Sequence, residues 1–264
     1  MMKSPPKKKN QNNGFVVAAT ISQNFVKAAI NLRESLFDYW PDAKISLYTE
    51  QKFIDQFGSD LDTFDQVVPV GSSDREKMWA MWQSPYDRTM YIDADCEINH
   101  QDITTLFDYL DDGSDMYYVE LTDAASKPFV MHRWGKGDLD KLTHCGGVCL
   151  YNSSKPLVKE FMKDWYDIYH KMMDKKWGPE QLPDVPDKYF QWDQIVLYYL
   201  IYRDPKYKSL KWKFFPDNYR WNYYSSFGNC LFREDGMWKH VDKAPVIMHY
   251  SSTMDKYGGK GILI

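Results

Sequence analysis

The 264-residue chain is poor in cysteine, with four residues at Cys96, Cys145, Cys149 and Cys230. Four scattered thiols cannot lace a disulfide scaffold, and the C-x3-C pair Cys145/Cys149 has no downstream His/Cys partner pair at zinc-site spacing. All four are expected as reduced thiols. Long apolar runs are also missing. The longest, Ile195 to Tyr202, is eight residues, against the roughly 18–20 that a bilayer-spanning helix needs. Positive charge is not in excess: 33 Lys plus Arg against 37 Asp plus Glu leave a net charge of −4, which disfavours general nucleic-acid binding. No G-x-G-x-x-G or G-x-x-x-x-G-K-[ST] follows the first apolar run, which argues against a dinucleotide-binding dehydrogenase and a P-loop nucleotidase. Residues 1–13 (MMKSPPKKKNQNN) carry no apolar stretch of a secretory signal. They read as a disordered basic tail, and a cytoplasmic location is expected. With 44% hydrophobic and 27% charged residues, the remainder, residues 14–264, is expected to fold as a single domain.

Aromatic residues are abundant instead. Ten Trp, 20 Tyr and 14 Phe make up 17% of the chain, and they crowd the second half. Part of this excess must be core; the rest is expected to line a groove, since ring faces suit the apolar faces of sugars and nucleobases. Hydrophobic patterning gives alternating elements. Strands are expected at residues 15–20, 45–48, 67–70 and 89–92. A helix capped by Ser22 follows the first, and a second helix, capped within 72–74, runs through Lys77 to Met81. Beyond residue 100 the pattern predicts helices at 103–110, 155–173 and 191–203, and strands at 116–120, 146–151, 210–215 and 245–250. A loop rich in Gly, Asp and Lys is expected at 126–141, and a mobile loop at 257–261. This alternation predicts an α/β fold with a mostly parallel sheet, whose ligands bind beyond the carboxyl ends of the strands.

One acidic pair stands out by context. The chain has 29 Asp and three D-x-D triplets, at 60/62, 93/95 and 138/140, about as many as chance supplies. Only Asp93-Ala94-Asp95 directly follows an apolar strand, Thr89-Met90-Tyr91-Ile92. In extended chain, side chains two apart point the same way, and the small Ala94 leaves room beside them. Two carboxylates at the mouth of a sheet repel unless a proton or cation intervenes. Oxygen ligands of this kind suit Mg2+ or Mn2+. His249, at the end of a predicted strand, could supply an imidazole. Taken by pattern alone, the acidic pair is equally compatible with a solvated turn, and Lys77, Arg88 and Lys256 with ordinary surface charges.

The segment Lys77-Met78-Trp79-Ala80-Met81 followed by Ser84 through Asp95 resembles the stretch before and through the DxD motif of GT-A glycosyltransferases. It is most similar to glycosyltransferase family eight, the glycogenin and galactosyltransferase type. Phe15 to Thr20 with Gln23-Asn24-Phe25 resembles that family's first strand and nucleotide-binding turn. Gly146-Gly147-Val148 resembles its N-[SA]-G-V strand, Asp193-Gln194 its D-Q pair, and His249-Tyr250 its C-terminal histidine motif. Departures are visible: Ile21-Ser22 stands where the family has an acidic residue that helps read uracil, Cys145 replaces its Asn, and Lys256 falls one residue late. The resemblance implies a GT-A fold, with residues 14–100 as the nucleotide-binding half and 101–264 as the acceptor half. It implies that Asp93, Asp95 and His249 hold Mn2+ or Mg2+, with Asp93 also touching the donor ribose. Ala18, Ala19, Thr20 and Ala94 would flank the nucleotide, and Lys77 and Lys256 would meet the diphosphate or donor sugar. Asp193 and Gln194 would lie near the sugar and acceptor.

These implications add up to metal-dependent transfer from a nucleotide-diphospho sugar, with UDP as the expected nucleotide, to a glycan or other hydroxyl acceptor. Retention is the implied stereochemistry; an inverting enzyme would need a carboxylate base, for which Asp193 is the candidate. Two other readings stay open: a sugar-1-phosphate nucleotidyltransferase, and a non-catalytic glycan- or nucleotide-binding protein.

Overall fold

The computed structural model describes residues 12–73, 75–120, 144–185, 187–217, 220–224, 231–234, 237–240 and 244–250. The basic tail up to residue 11, the loops at 126–141 and 257–261, and Lys256 therefore lie outside the described residues.

The main sheet is built around β1 (Asn13–Ala19), whose residues are apolar on both faces and almost wholly buried. It is flanked by β2 (Ile45–Glu50) and β4 (Arg88–Ile92), both parallel to it, and β3 (Gln66–Val70) adds to β2 in parallel. Beyond β4 the sheet continues with β7 (His144–Asn152), β6 (Met116–Glu120) and β8 (Trp212–Phe214), giving the order β3-β2-β1-β4-β7-β6-β8. The β4–β7 and β7–β6 pairings are antiparallel and β6–β8 is parallel. The sheet is thus mostly parallel, as the alternation predicts. Val16 pairs with Tyr91, so β1 and β4 open at one edge with their carboxyl ends together.

Each face of the sheet is covered, because successive residues of a strand point to opposite sides. Phe15, Val17, Met90 and Ile92 pack against α1 (Gln23–Tyr39) and a 3-10 helical segment, Gln101–Asp112. Val16 and Tyr91 face α3 (Glu76–Trp82), α4 (Pro156–Met173) and α5 (Asp193–Tyr198). Ser22 caps α1 as expected, accepting from the Asn24 N–H. Three local expectations are corrected. The N-cap of α3 is Arg75, with no side-chain cap; Ser73 Oγ instead accepts the Arg75 N–H. The helix expected at 191–203 is α5 followed by a π-helical turn, Tyr199–Arg203. Arg88 is no surface charge: it is buried, donating to Phe107 O and pairing with Asp111. One short helix, α2 (Gln51–Phe57), follows β2 directly and was not anticipated.

A small second sheet lies at the open edge. In it β12 (Ile247–His249) pairs antiparallel with β5 (Cys96–Ile98) and parallel with β9 (Tyr223–Tyr224). β10 (Leu231–Glu234) and β11 (Met237–His240) form a separate hairpin. Most of the aromatic excess proves to be core: Trp165, Trp221, Tyr91, Tyr118 and Tyr198 are fully buried. Among the described residues Trp192 is the one aromatic ring that is substantially exposed, so an aromatic-lined groove is not what the second half builds there. No helix among the described residues is long and apolar enough to cross a membrane.

Candidate active site

At the carboxyl end of β4 the chain does not stay extended. Asp93, Ala94 and Asp95 form a tight turn, in which Cys96 N–H bonds to Asp93 O at 3.2 Å. The expectation of two carboxylates on one extended face is corrected accordingly. The turn hands the chain from the main sheet to β5, and both acids still line the same depression. Register does the rest: His249 pairs with Cys96 across β5 and β12, which brings His249 Nε2 to 3.2 Å from Asp95 Oδ1. Burial opposes a charged ring, but the charge and hydrogen bond of Asp95, with the charge of Asp93, together outweigh it and raise the His249 pKa above the ordinary histidine value.

Asp93 is held from two sides. The buried Tyr91 hydroxyl donates to Asp93 Oδ1 at 2.8 Å, and Asp93 N–H bonds to Gly147 O at 2.8 Å. Burial keeps the Tyr91 phenol well above its usual range, so it remains a donor. The other carboxylate oxygen lies against Gly147, where any Cβ would collide with it and approach His249 Cε1 to 3.1 Å. Gly147 is therefore a close-approach glycine. Gly146 has a matching role on the other side: a Cβ there would come within 2.8 Å of Asp193 Oδ2 and 3.2 Å of Lys77 Nζ.

Lys77 from α3 and Asp193 from the first turn of α5 form a buried ion pair, Nζ to Oδ2 at 2.7 Å. Arg75 approaches the other carboxylate oxygen, Nη1 to Oδ1 at 3.7 Å, and donates from Nε to the Tyr169 hydroxyl. Burial alone would raise the Asp193 pKa; the charges of Lys77 and Arg75 override it and hold the acid below the usual carboxylate range. Lys77 moves upward for the reciprocal reason, with Asp193 and then Asp93 outweighing burial.

The turn after β1 borders the depression lined by Ala18 and Thr20. Ser22 N–H bonds to Thr20 O across Ile21, a γ-turn with Ile21 at φ 72°. A β-branched residue there is strained, by about 1–3 kcal/mol. Two contacts hold it: Ile21 N–H to Glu50 Oε1 at 2.6 Å and the Thr20 hydroxyl to Ser73 O at 2.5 Å.

The structure therefore brings together Ala18, Thr20, Lys77, Asp93, Ala94 and Asp95 around one depression. The adjoining depression joins Asp193, Gln194 and His249 to Lys77 and the two acids. Ala19 lines neither depression; it is buried in the core on the α1 face of the sheet. Sequence reasoning missed Arg75 and Trp192, which border these depressions, and Asn222, which bonds to His249.

Asp95, Cys96 and His249 form the group whose ligand atoms converge on a possible metal position. Of the expected ligands this group contains Asp95 and His249 but not Asp93, whose carboxylate is held by the Tyr91 hydroxyl and lies against Gly147; burial pushes the Cys96 thiol well above its usual pKa. The 3.2 Å separation of Asp95 Oδ1 and His249 Nε2 is close to the cis edge, about 3.0 Å, of an octahedron with bonds of about 2.1 Å. Asp95 and His249 fit a divalent cation.

No protein-family model matches the sequence, and comparison with curated proteins finds no match. Solved structures do match. The galactosyltransferase LgtC, solved with donor and acceptor sugar analogs, is 15% identical with a TM-score of 0.54, over 91% of this chain and 87% of LgtC. The fold is GT-A. The glycosyltransferase GlyE of Streptococcus pneumoniae TIGR4 matches over 91% of this chain with TM-score 0.53 and 16% identity; this chain spans 55% of GlyE. Mouse xyloside xylosyltransferase 1 matches over 90% of this chain and 97% of its own, with TM-score 0.50 and 13% identity.

Proposed function

We propose that this GT-A protein transfers a glycosyl group from a nucleoside-diphospho sugar, with UDP as the nucleotide, to a carbohydrate or other hydroxyl acceptor. Asp93, Asp95 and His249 would hold Mn2+ or Mg2+. The observation that carries the reading is the juxtaposition of two acids and an imidazole with the buried Lys77–Asp193 pair at the carboxyl end of the sheet.

A bound divalent cation would stabilise the negative charge that grows on the departing diphosphate. The chain's own groups divide the remaining work. Ala18, Thr20 and Phe25 border the side assigned to the nucleoside, where the small Ala94 leaves space. Lys77 keeps its charge through Asp193, and Arg75 stands beside it. Both are preorganised to favour charge on the leaving group. Asp193 is a poor proton acceptor, because two cations hold it ionised and it is almost fully buried. That favours retention over base-assisted inversion through Asp193. Gln194 borders the same depression and is assigned to sugar hydroxyls. Trp192, 36% exposed at the rim, offers an apolar ring face to a pyranose acceptor.

Purified full-length protein incubated with UDP-sugars tests the reading, with and without Mn2+. The expected result is Mn2+-dependent release of UDP that saccharide acceptors accelerate. Pyrophosphate release from UTP and a sugar 1-phosphate would instead favour nucleotidyl transfer. Binding without release of any product would favour a non-catalytic role.

A further inference from the structure

Asn222, just ahead of β9, is buried between two groups of the site. Its Oδ1 is 2.8 Å from His249 Nδ1, and its Nδ2 donates to Cys145 Sγ at 2.9 Å. Cys145 Sγ also accepts the Gly147 N–H at 3.3 Å. In this orientation the amide gives its NH2 end to the sulfur. Oδ1 is then left facing the imidazole. An amide oxygen has only lone pairs to offer, so Nδ1 must carry the proton. Nε2, 3.2 Å from Asp95 Oδ1, gives its proton to that carboxylate when the ring is charged and is the nitrogen left to ligate once a cation takes the place of that proton. With the amide reversed, NH2 would face Nδ1, the ring proton would shift to Nε2, and the lone pair would point away from the acids.

We propose that Asn222 is a positioning residue that, with its NH2 end on Cys145, holds a proton on His249 Nδ1, so that Nε2 is presented to a divalent cation beside Asp95. The inference rests on the metal assignment under Proposed function and extends it to the group behind the ligand. Hydrogen-bond partners behind a ligating histidine typically contribute 10–100-fold to metal affinity. Cys145 acts here through Asn222 and does not touch the cation.

Mn2+ binding to the full chain, followed by loss of the free-ion electron paramagnetic resonance signal, tests this together with nitrogen NMR of the metal-free protein. Asn222→Ala is expected to weaken Mn2+ binding 10–100-fold. Asn222→Asp keeps an acceptor oxygen at Nδ1 and is expected to bind at least as tightly as the wild type. Wild-type affinity in Asn222→Ala, or equal weakening in both variants, would overturn the proposal. Should Asn222→Ala fail to fold, Asp95→Ala still decides, because it removes the acceptor that competes for the ring proton at Nε2. With ring nitrogens labelled in that variant and His249 assigned through the further substitution His249→Gln, the neutral imidazole at alkaline pH is expected as the Nδ1–H tautomer. A dominant Nε2–H tautomer would overturn the role of Asn222 whatever the metal does. Failure of the metal reading is separate: Asp95→Ala and His249→Gln would then bind Mn2+ as the wild type does.

Discussion

Two acidic environments lie a few side chains apart in this protein and are balanced in opposite ways. Asp193 is buried, pairs with Lys77 at 2.7 Å and has Arg75 on its other oxygen. Asp93 and Asp95 face a tyrosine hydroxyl and an imidazole. Among the described residues neither has a lysine or arginine within ion-pair distance. The first environment is complete within the chain. The second is the kind of acidic corner that a divalent cation completes. The same residue type thus serves as a fixed counter-charge in one place and, in the proposed reading, as a ligand in the other, and the surroundings decide which.

The largest expected effect breaks the first environment. Lys77→Ala leaves Asp193 buried with Arg75 alone, and should cost about 3–5 kcal/mol of stability in urea unfolding. A loss under about 1 kcal/mol would mean the pair is not a buried counter-charge. Next is the second environment. Asp95→Ala should lower UDP release by about 10²–10³, or about 2.7–4 kcal/mol, and abolish its response to Mn2+ while the fold survives.

A smaller effect separates the two environments by pH. The folded-state pKa of His249 is raised, so protonation stabilises the metal-free protein. That contribution is fully present below about 6.5, the ordinary histidine value, and is lost as pH rises through the folded-state value. Mn2+ requires the deprotonated ring, so its affinity rises over the same window. Thermal stabilisation by Mn2+ should therefore grow from about pH 6 to about pH 8, and His249→Gln should flatten the trend. Asp193 behaves in the opposite sense: its pKa is lowered, so its contribution is present at neutral pH and lost only on acidification. The smallest expected change in stability is Trp192→Ala, within about 0.5 kcal/mol because the ring is partly exposed. Its measurable consequence should be a raised KM for a saccharide acceptor with the donor KM unchanged.

Much of the frame was legible because its signals are local. The run Thr89-Met90-Tyr91-Ile92 into Asp93 announces a buried strand ending at a site, and Ser22 before an apolar period marks the start of α1. His249 was placed correctly at a strand end. Its contact with Asp95 was not readable, because it depends on the β5–β12 register formed by residues about 150 apart. Arg75, Asn222 and Trp192 escaped for the same reason. Each is unremarkable in its own segment, and only tertiary approach brings them to Asp193, His249 and the site's rim. The Gly146-Gly147 pair was read as part of a strand, and its steric reason appears only once Asp193 and Asp93 lie against it. The aromatic excess misled in the other direction, since composition cannot separate core rings from surface ones.

Anomalous scattering from a crystal of the full chain soaked with Mn2+ and UDP tests the central claim most directly. The account predicts one manganese peak between Asp93, Asp95 and His249, with the diphosphate oxygens on its open side and Lys77 still paired to Asp193. A diphosphate bound with no manganese at that corner, or manganese bound elsewhere, would contradict it.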